Sequence, residues 1–272
     1  MVMLKSQNNS DGLWQVILVT KGVHAMSDNF FGKLHQQMLN SVFLARNPAL
    51  EAARVHGIDA TKIEEIVGQY AGLVTMIVSY LFVGSVRLDK FPAVRDELIR
   101  NLGEERGSLT GGLTHQEILN RELIKLGIKV NLATWDEPTR HFLAMLSHDI
   151  ATSHPMRVAG VIYALEATAT PELGIVGRLL NEYSRMRGFE KQLVSEAALA
   201  GQHQVVATTA EELSLDDFFC LHVDSFEPGH RDRFADAIAP ELQEWEVQRE
   251  FENGFSYVLV LMEAWWQKLA WS

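Results

Sequence analysis

The sequence is short of cysteine and of positive charge, and each shortage excludes a class of protein. Its 272 residues contain one cysteine, Cys220, which excludes a disulfide framework and a cluster of thiolate metal ligands. So little cysteine predicts a reducing compartment, the cytoplasm. Lys and Arg number 24 against 35 Asp and Glu, a net charge of -11. Nucleic acid is therefore not expected as a partner, because phosphate binding requires clustered basic side chains.

Long hydrophobic runs are missing as well. Residues 1–12 are polar and carry no apolar signal core. The most apolar run, from Ala71 to Val86, is broken by Thr75, Ser79 and Gly84. It is shorter than the roughly 20 residues that cross a membrane. We therefore expect a buried helix here and no membrane span.

Strand patterns are sparse, whereas apolar residues at helical spacing recur along the chain. The sequence predicts an all-α fold, a single helical bundle over residues 27–272 behind an N-terminal extension of residues 1–26. Leu13 to Thr20 is either a strand or the lead-in to a helix. The predicted helices run from Ser27 to Leu44, from Asp59 or Thr61 to Val86, from Pro92 to Glu105, from Thr114 to Leu126, from Asp136 to Ile150, from Pro155 past Thr168 with a kink at Pro171, from Glu190 to Ala200, from Asp216 to Ile238, and from Glu244 to Leu269; Pro48 to His56 is a further short one.

The predicted helix from Asp216 to Ile238 carries the strongest chemical pattern. Glu227 and His230 are three residues apart and share a helix face, the spacing with which di-iron carboxylate proteins hold metal. His222 precedes His230 by eight residues and points roughly the same way. A helix irregularity at Pro228-Gly229 would improve its aim. Asp224 is a reserve ligand, and a surface helix with scattered polar residues is the alternative interpretation.

Three more residues are candidate ligands. Glu105 and His115 lie on either side of a glycine-rich break, so a bend would aim both inward; the alternative is a charged helix end followed by a turn. Glu166 lies on an apolar helix flank, and a buried carboxylate is costly unless it is paired, protonated or bound to metal. Carboxylate and imidazole ligands without thiolates suit iron, manganese or zinc. No second Glu-x-x-His is present, so the ferritin template does not apply.

The order of these pieces resembles a known family. Asn-Leu-x-Glu-Glu-x-Gly and a histidine come first, a mid-chain Glu after Ala-Leu follows, and a late His with Glu-x-x-His ends the series. From about residue 60 onward the chain resembles the heme-oxygenase-like di-iron oxidases and oxygenases, especially the CADD-like proteins. The resemblance implies the metal ligands Glu105, His115, Glu166, His222, Glu227 and His230, with Glu104 competing with Glu105. The family commonly has three residues between the last helix's first His and its acid, whereas four separate His222 from Glu227.

The resemblance also implies a fold and an activity. The fold is a heme-oxygenase-like bundle of about seven core helices. Two iron ions (Fe2+/Fe3+), or manganese in their place, activate O2 to oxidise a small-molecule substrate. That substrate is amino-acid-like, fatty-acid-like or a tyrosine of the protein itself. Tyr163, three residues before Glu166, has either a redox or sacrificial role or one in packing. A homodimer is implied as well.

A metal-free member of the same fold is the alternative. It would be a hydrolase of the thiaminase II kind, with Cys220 as nucleophile, or a binding or interaction module. Cys220 is flanked by Phe219 and Leu221, so a small buried hydrophobe is the other interpretation of this residue.

Overall fold

A computed structural model describes residues 23–130, 135–207 and 209–271, and this part of the chain is all-α, without strands. The predicted fold class is confirmed. The α-helices are α1 (Val23–Leu39), α2 (Val42–Ala45), α3 (Pro48–Glu51), α4 (Ala60–Arg87), α5 (Pro92–Glu105), α6 (His115–Lys125), α7 (Glu137–Thr152), α8 (Pro155–Arg187), α9 (Glu196–Leu199), α10 (Leu215–Leu221), α11 (Glu227–Ile238) and α12 (Trp245–Trp271). Two π-helical turns, Ala52–His56 and His222–Phe226, and two 3-10 turns, Ala210–Glu212 and Ala239–Glu241, complete the described part.

Helix α8 is the centre of the bundle. It packs against α4, α11 and α12, and its segment from Val158 to Thr168 is buried on every side. Helices α5, α6 and α7 pack around α4 and α11. The seven helices α4–α8, α11 and α12 therefore enclose the core, and each presents an apolar stripe to it.

Two glycines set how closely α8 and α12 approach. A Cβ atom on Gly160 would lie 2.0 Å from the carbonyl oxygen of Phe251, and one on Gly254 would lie 2.0 Å from that of Arg157. Such distances are far inside van der Waals contact. The two helices therefore cross backbone to backbone, which only a residue without a side chain permits.

Several predicted helix limits are wrong. Ser27, expected to cap α1, lies inside it, and α1 ends at Leu39 instead of continuing to Leu44. The helix predicted from Glu190 to Ala200 shrinks to Glu196–Leu199. The side chain of Asn181 forms hydrogen bonds with both the N–H and the C=O of Val194. These replace the backbone hydrogen bonds that a helix would make there. The predicted strand or helix lead-in at 13–20 lies outside the described residues.

Helix α4 carries the most apolar run. It is the one helix in the described ranges that is long and apolar enough, by length and composition, to cross a membrane. Half of its most apolar 18-residue window is buried inside the protein, and the core helix of a soluble protein passes the same test. Because α4 packs against α5, α7 and α8, its burial is explained by the bundle itself.

Candidate metal centre

Four segments bring the six predicted ligands together. Glu105 ends α5, His115 begins α6, Glu166 lies in the middle of α8, and the stretch from the π turn into α11 supplies the other three. All six side chains are buried. The residues involved are Glu105, His115, Glu166, His222, Glu227 and His230.

The glycine-rich break bends the chain between Glu105 and His115. Gly107 has a φ of +92°, in the region that favours glycine, and a Cβ atom there would lie 2.6 Å from the carbonyl oxygen of Leu113. Thr114 and Glu117 then form a capping box that begins α6 at His115. As a result, Nδ1 of His115 lies 3.2 Å from Oε1 of Glu105.

The extra residue between His222 and Glu227 is absorbed by a π turn. The N–H of Glu227 bonds the carbonyl of His222, five residues back, so both side chains face the core. The predicted irregularity exists, but its predicted position at Pro228-Gly229 is wrong. Pro228 instead lies in the first turn of α11, where a missing N–H costs little.

Hydrogen bonds fix which nitrogen of His222 and of His230 faces the cluster. Nδ1 of His222 lies 2.7 Å from the carbonyl oxygen of Phe218. A carbonyl only accepts, so Nδ1 carries the hydrogen and Nε2 keeps its lone pair. Nε2 of His230 donates to Oε2 of Glu104 at 2.8 Å. Its Nδ1 therefore faces Glu166, Glu105 and Glu227, whose oxygens lie 3.4, 3.8 and 3.9 Å away.

Glu104 and Glu105 have separate roles, although both are buried. Glu105 faces the cluster, whereas Glu104 accepts hydrogen bonds from His230 and from Arg100 and Arg233 outside it. On Glu166, Oε1 accepts from the side-chain amide of Asn101 at 2.9 Å. Asp224, the reserve ligand, is exposed and excluded from the cluster.

The cluster leaves several buried polar atoms without hydrogen bonds. Both ring nitrogens of His115 and Nδ1 of His230 are buried and make none. In the 3.2 Å approach of Nδ1 of His115 to Oε1 of Glu105, the two groups are not aligned as donor and acceptor. One ligand atom each of Glu105, Glu227 and His230 lies within 4.8 Å of the other two. Unpaired nitrogens beside convergent carboxylates are what metal ligands require, so the residues present fit a metal.

Sequence comparison assigns the chain to a family. The family model matches residues 29–195 and 204–272. The chain belongs to DUF3865, described as a domain of unknown function with a solved structure. No curated protein matches it.

Solved structures share the fold of this DUF3865 chain. Two crystal structures of a CADD-like protein of unknown function from Nostoc punctiforme PCC 73102 are similar, with TM-scores of 0.73 and 0.69 and 22% identity. Each comparison covers 90% of this chain, and 97% and 95% of the other. A TenA homologue from Pseudomonas syringae pv. tomato DC3000 is similar with a TM-score of 0.57 and 8% identity, over 91% of this chain and 92% of the other. These likenesses show that the chain has the helical fold of CADD-like and TenA-like proteins.

In this DUF3865 chain, the cluster of candidate ligands concentrates negative charge in a buried space. Burial, together with Glu105 and Glu166 nearby, raises the pKa of Glu227 well above its usual range. Burial alone would lower the pKa of His230, but the surrounding carboxylates, led by Glu166, raise it to about 10. Burial and the neighbouring His115 lower the pKa of His222 to about 3. His222 is therefore neutral at physiological pH, the state in which an imidazole binds metal.

A largely apolar cavity adjoins the cluster. Five of the six candidate ligands, all but His230, line it together with Leu73, Val74, Ile77, Leu165, Ala169, Leu173, Phe218 and Met262. Sequence reasoning missed two further lining residues, Tyr70 and Glu172. The signal for Glu172 was available, since it is an acid in the apolar flank of α8.

Tyr163 does not line this cavity. Its ring packs among Phe31, Phe234, Phe251 and Phe255, at centroid distances of 5.1 to 6.3 Å. Burial raises the pKa of its hydroxyl to about 12. The packing role is the one that the structure favours, and Tyr70 is the tyrosine at the cavity.

Cys220 also lies apart from the cavity. Its thiol is buried and donates to the carbonyl of His203, at 3.1 Å. Burial raises the pKa of the thiol and so disfavours the thiolate, the reactive form. No observation therefore favours the thiol-hydrolase alternative.

Proposed function

We propose that this protein is a non-heme di-iron oxidase or oxygenase that uses O2 to oxidise a small organic molecule. The observation that carries the proposal is the cluster of three carboxylates and three imidazoles, buried together with unpaired nitrogens. Three buried carboxylates in one place destabilise a metal-free protein, and divalent cations would offset that cost. The CADD-like fold supports the same interpretation.

The six side chains would hold the metal, and their neighbours would orient them. Glu104 keeps the hydrogen on Nε2 of His230, and the carbonyl of Phe218 keeps it on Nδ1 of His222. Asn101 holds the carboxylate of Glu166. Such outer hydrogen bonds fix ligand orientation and basicity.

Iron supplies what the side chains lack. When bound, ferrous iron provides the electrons that reduce O2, which no carboxylate or imidazole can do. Manganese would suit the same nitrogen and oxygen ligands. The apolar walls formed by Leu73, Ile77 and Met262 would exclude water and hold the hydrocarbon part of a substrate. Amino-acid-like and fatty-acid-like molecules both fit this description.

Anaerobic titration of metal-stripped protein with Fe(II), followed by rapid mixing with O2 under optical detection, tests the proposal. We expect about two iron ions per chain and a transient absorbing species. Both should be lost in Glu166→Ala. Glu182→Ala is the matched control, because Glu182 lies on the same helix but pairs with Arg54 and Arg185 at the surface. Folded wild-type protein that takes up no iron would overturn the proposal.

Two further expectations accompany this function. The single cysteine supports a cytoplasmic location, and the resemblance to CADD-like proteins supports a homodimer. Light scattering during size-exclusion chromatography distinguishes a dimer of about 61 kDa from the 30.6 kDa chain.

A further inference from the structure

Glu172 is a second buried acid on α8 and takes no part in the candidate metal centre. Only 2% of its surface is exposed, and it lines the same cavity as Glu166. Trp266 of α12 donates from Nε1 to its Oε1, at 2.8 Å. A neutral donor thus helps to hold the carboxylate in position.

No positive charge in the described ranges balances Glu172. Lys, Arg and His side chains there make no ion pair with it, whereas Glu104 forms ion pairs with Arg100 and Arg233. A buried carboxylate without a cation is costly. Burial accordingly raises the pKa of Glu172 to about 7, although hydrogen bonds from Trp266 and Thr168 oppose the rise.

Tyr70 of α4 provides a second polar group beside Glu172. It too lines the cavity, and its ring packs against Trp266 at 6.3 Å. Burial and the charge of Glu172 raise the pKa of its hydroxyl well above 10. Among the described residues, none of the side-chain hydrogen bonds in this region involves the hydroxyl, and the residue borders the open space of the cavity. Its oxygen remains available to a ligand.

We infer that Glu172 and Tyr70 bind the protonated amine of the substrate, whose remainder is apolar and lies along the cavity. An ammonium group carries the missing positive charge and three N–H donors, enough for a carboxylate and a phenol oxygen together. A carboxylate ligand would be repelled by Glu172, and a hydrocarbon would leave both groups unpaired. Calling this ligand the substrate rests on the proposed function; the binding itself does not.

The test is isothermal titration calorimetry on the full chain with three six-carbon ligands: hexylamine, hexan-1-ol and hexanoate. It is run on chelator-treated protein and on anaerobic Fe(II)-loaded protein. We expect the amine to bind at least tenfold more tightly than the alcohol, since a charged hydrogen bond is added. Glu172→Gln keeps an acceptor for Trp266 and removes the charge, so the amine preference should disappear. Tyr70→Phe should weaken amine binding about threefold to tenfold.

A matched variant and the remaining outcomes complete the test. Glu263→Gln, on α12 and outside the cavity lining, should keep the full amine preference. Equal binding of amine and alcohol by the wild type overturns the inference even if Glu172→Gln fails to fold, and so does a preference for hexanoate. Iron uptake without amine binding overturns this inference alone. Amine binding without iron uptake overturns the proposed function alone.

Discussion

Glu104 and His230 meet across the bundle at 2.8 Å, although 126 positions separate them in the sequence. Oε2 of Glu104 accepts a hydrogen bond from Nε2–H of His230. The other ring nitrogen, Nδ1, is thereby presented to the carboxylates of Glu105, Glu166 and Glu227. Glu104 is a positioning residue in this arrangement and acts through His230.

The first prediction concerns this positioning. Glu104→Gln should lower iron affinity about 10-fold to 100-fold, because the amide no longer enforces one tautomer of His230. Anaerobic titration measures the change. Glu97→Gln is the control, since Glu97 pairs with the same Arg100 and Arg233 but not with His230. Equal losses in the two variants would show that the arginine network matters rather than the imidazole.

The second prediction concerns the π turn between His222 and Glu227. Deleting the exposed Ser225 leaves three residues between His222 and Glu227. An ordinary α-helix places two residues with this spacing on one face. Iron uptake should therefore be retained. Inserting one alanine after Ser225 turns His222 by about 100° relative to Glu227, and iron affinity should fall more than tenfold. Loss of iron in a folded deletion variant would contradict this account.

The third prediction concerns stability and pH. Because the folded pKa of Glu172 is raised from 4.5 to about 7, its protonated form contributes stability that is fully present below pH 4.5 and is lost as pH rises through 7. Glu172→Gln does not titrate. In urea unfolding, the free energy of unfolding of the variant relative to that of the wild type should therefore rise by on the order of 2–3 kcal/mol between pH 4.5 and pH 8. A difference that does not change with pH, as expected for Glu263→Gln, would refute it.

The fourth prediction concerns the crossing of α8 and α12. Gly160→Ala and Gly254→Ala each place a methyl group 2.0 Å from a carbonyl oxygen of the other helix. Each should lower the free energy of unfolding by about 1–3 kcal/mol or more. Gly174→Ala on α8 meets only the end of Arg178, at 3.9 Å. This control should be neutral or stabilise the protein by up to about 1 kcal/mol. Urea unfolding of all three separates the two cases.

Helical spacing predicted the bundle, and the Glu-x-x-His pattern singled out Glu227 and His230, because both are local properties. The full set of six side chains was implied by the resemblance to CADD-like proteins. The sequence left Glu104 and Glu105 as alternatives, since neighbours on a helix point about 100° apart and which of them faces inward depends on helix rotation. It put the irregularity at Pro228-Gly229, but the π turn spans His222–Phe226 and ends before Pro228. A proline at the start of a helical segment disturbs little.

The roles of Tyr163 and Glu172 depended on tertiary packing. Three residues before Glu166, Tyr163 was expected on the same side, but four phenylalanines from other parts of the chain surround its ring. Glu172 had no partner within reach in the sequence. Only the fold brings Trp266 to it from 94 positions away. Local patterns cannot reveal such pairs.

The backbone contact between α8 and α12 has a consequence for which molecules fit. Glu166, in the candidate metal centre, and Glu172 are six residues apart on α8, about 9 Å along its axis. Gly160 and Gly254 lock that helix to α12, which also carries Trp266. The distance between the two acids is thus fixed. In a homologous series of amines, the oxidised carbon would therefore stay at the same number of bonds from the nitrogen, whatever the length of the chain beyond it.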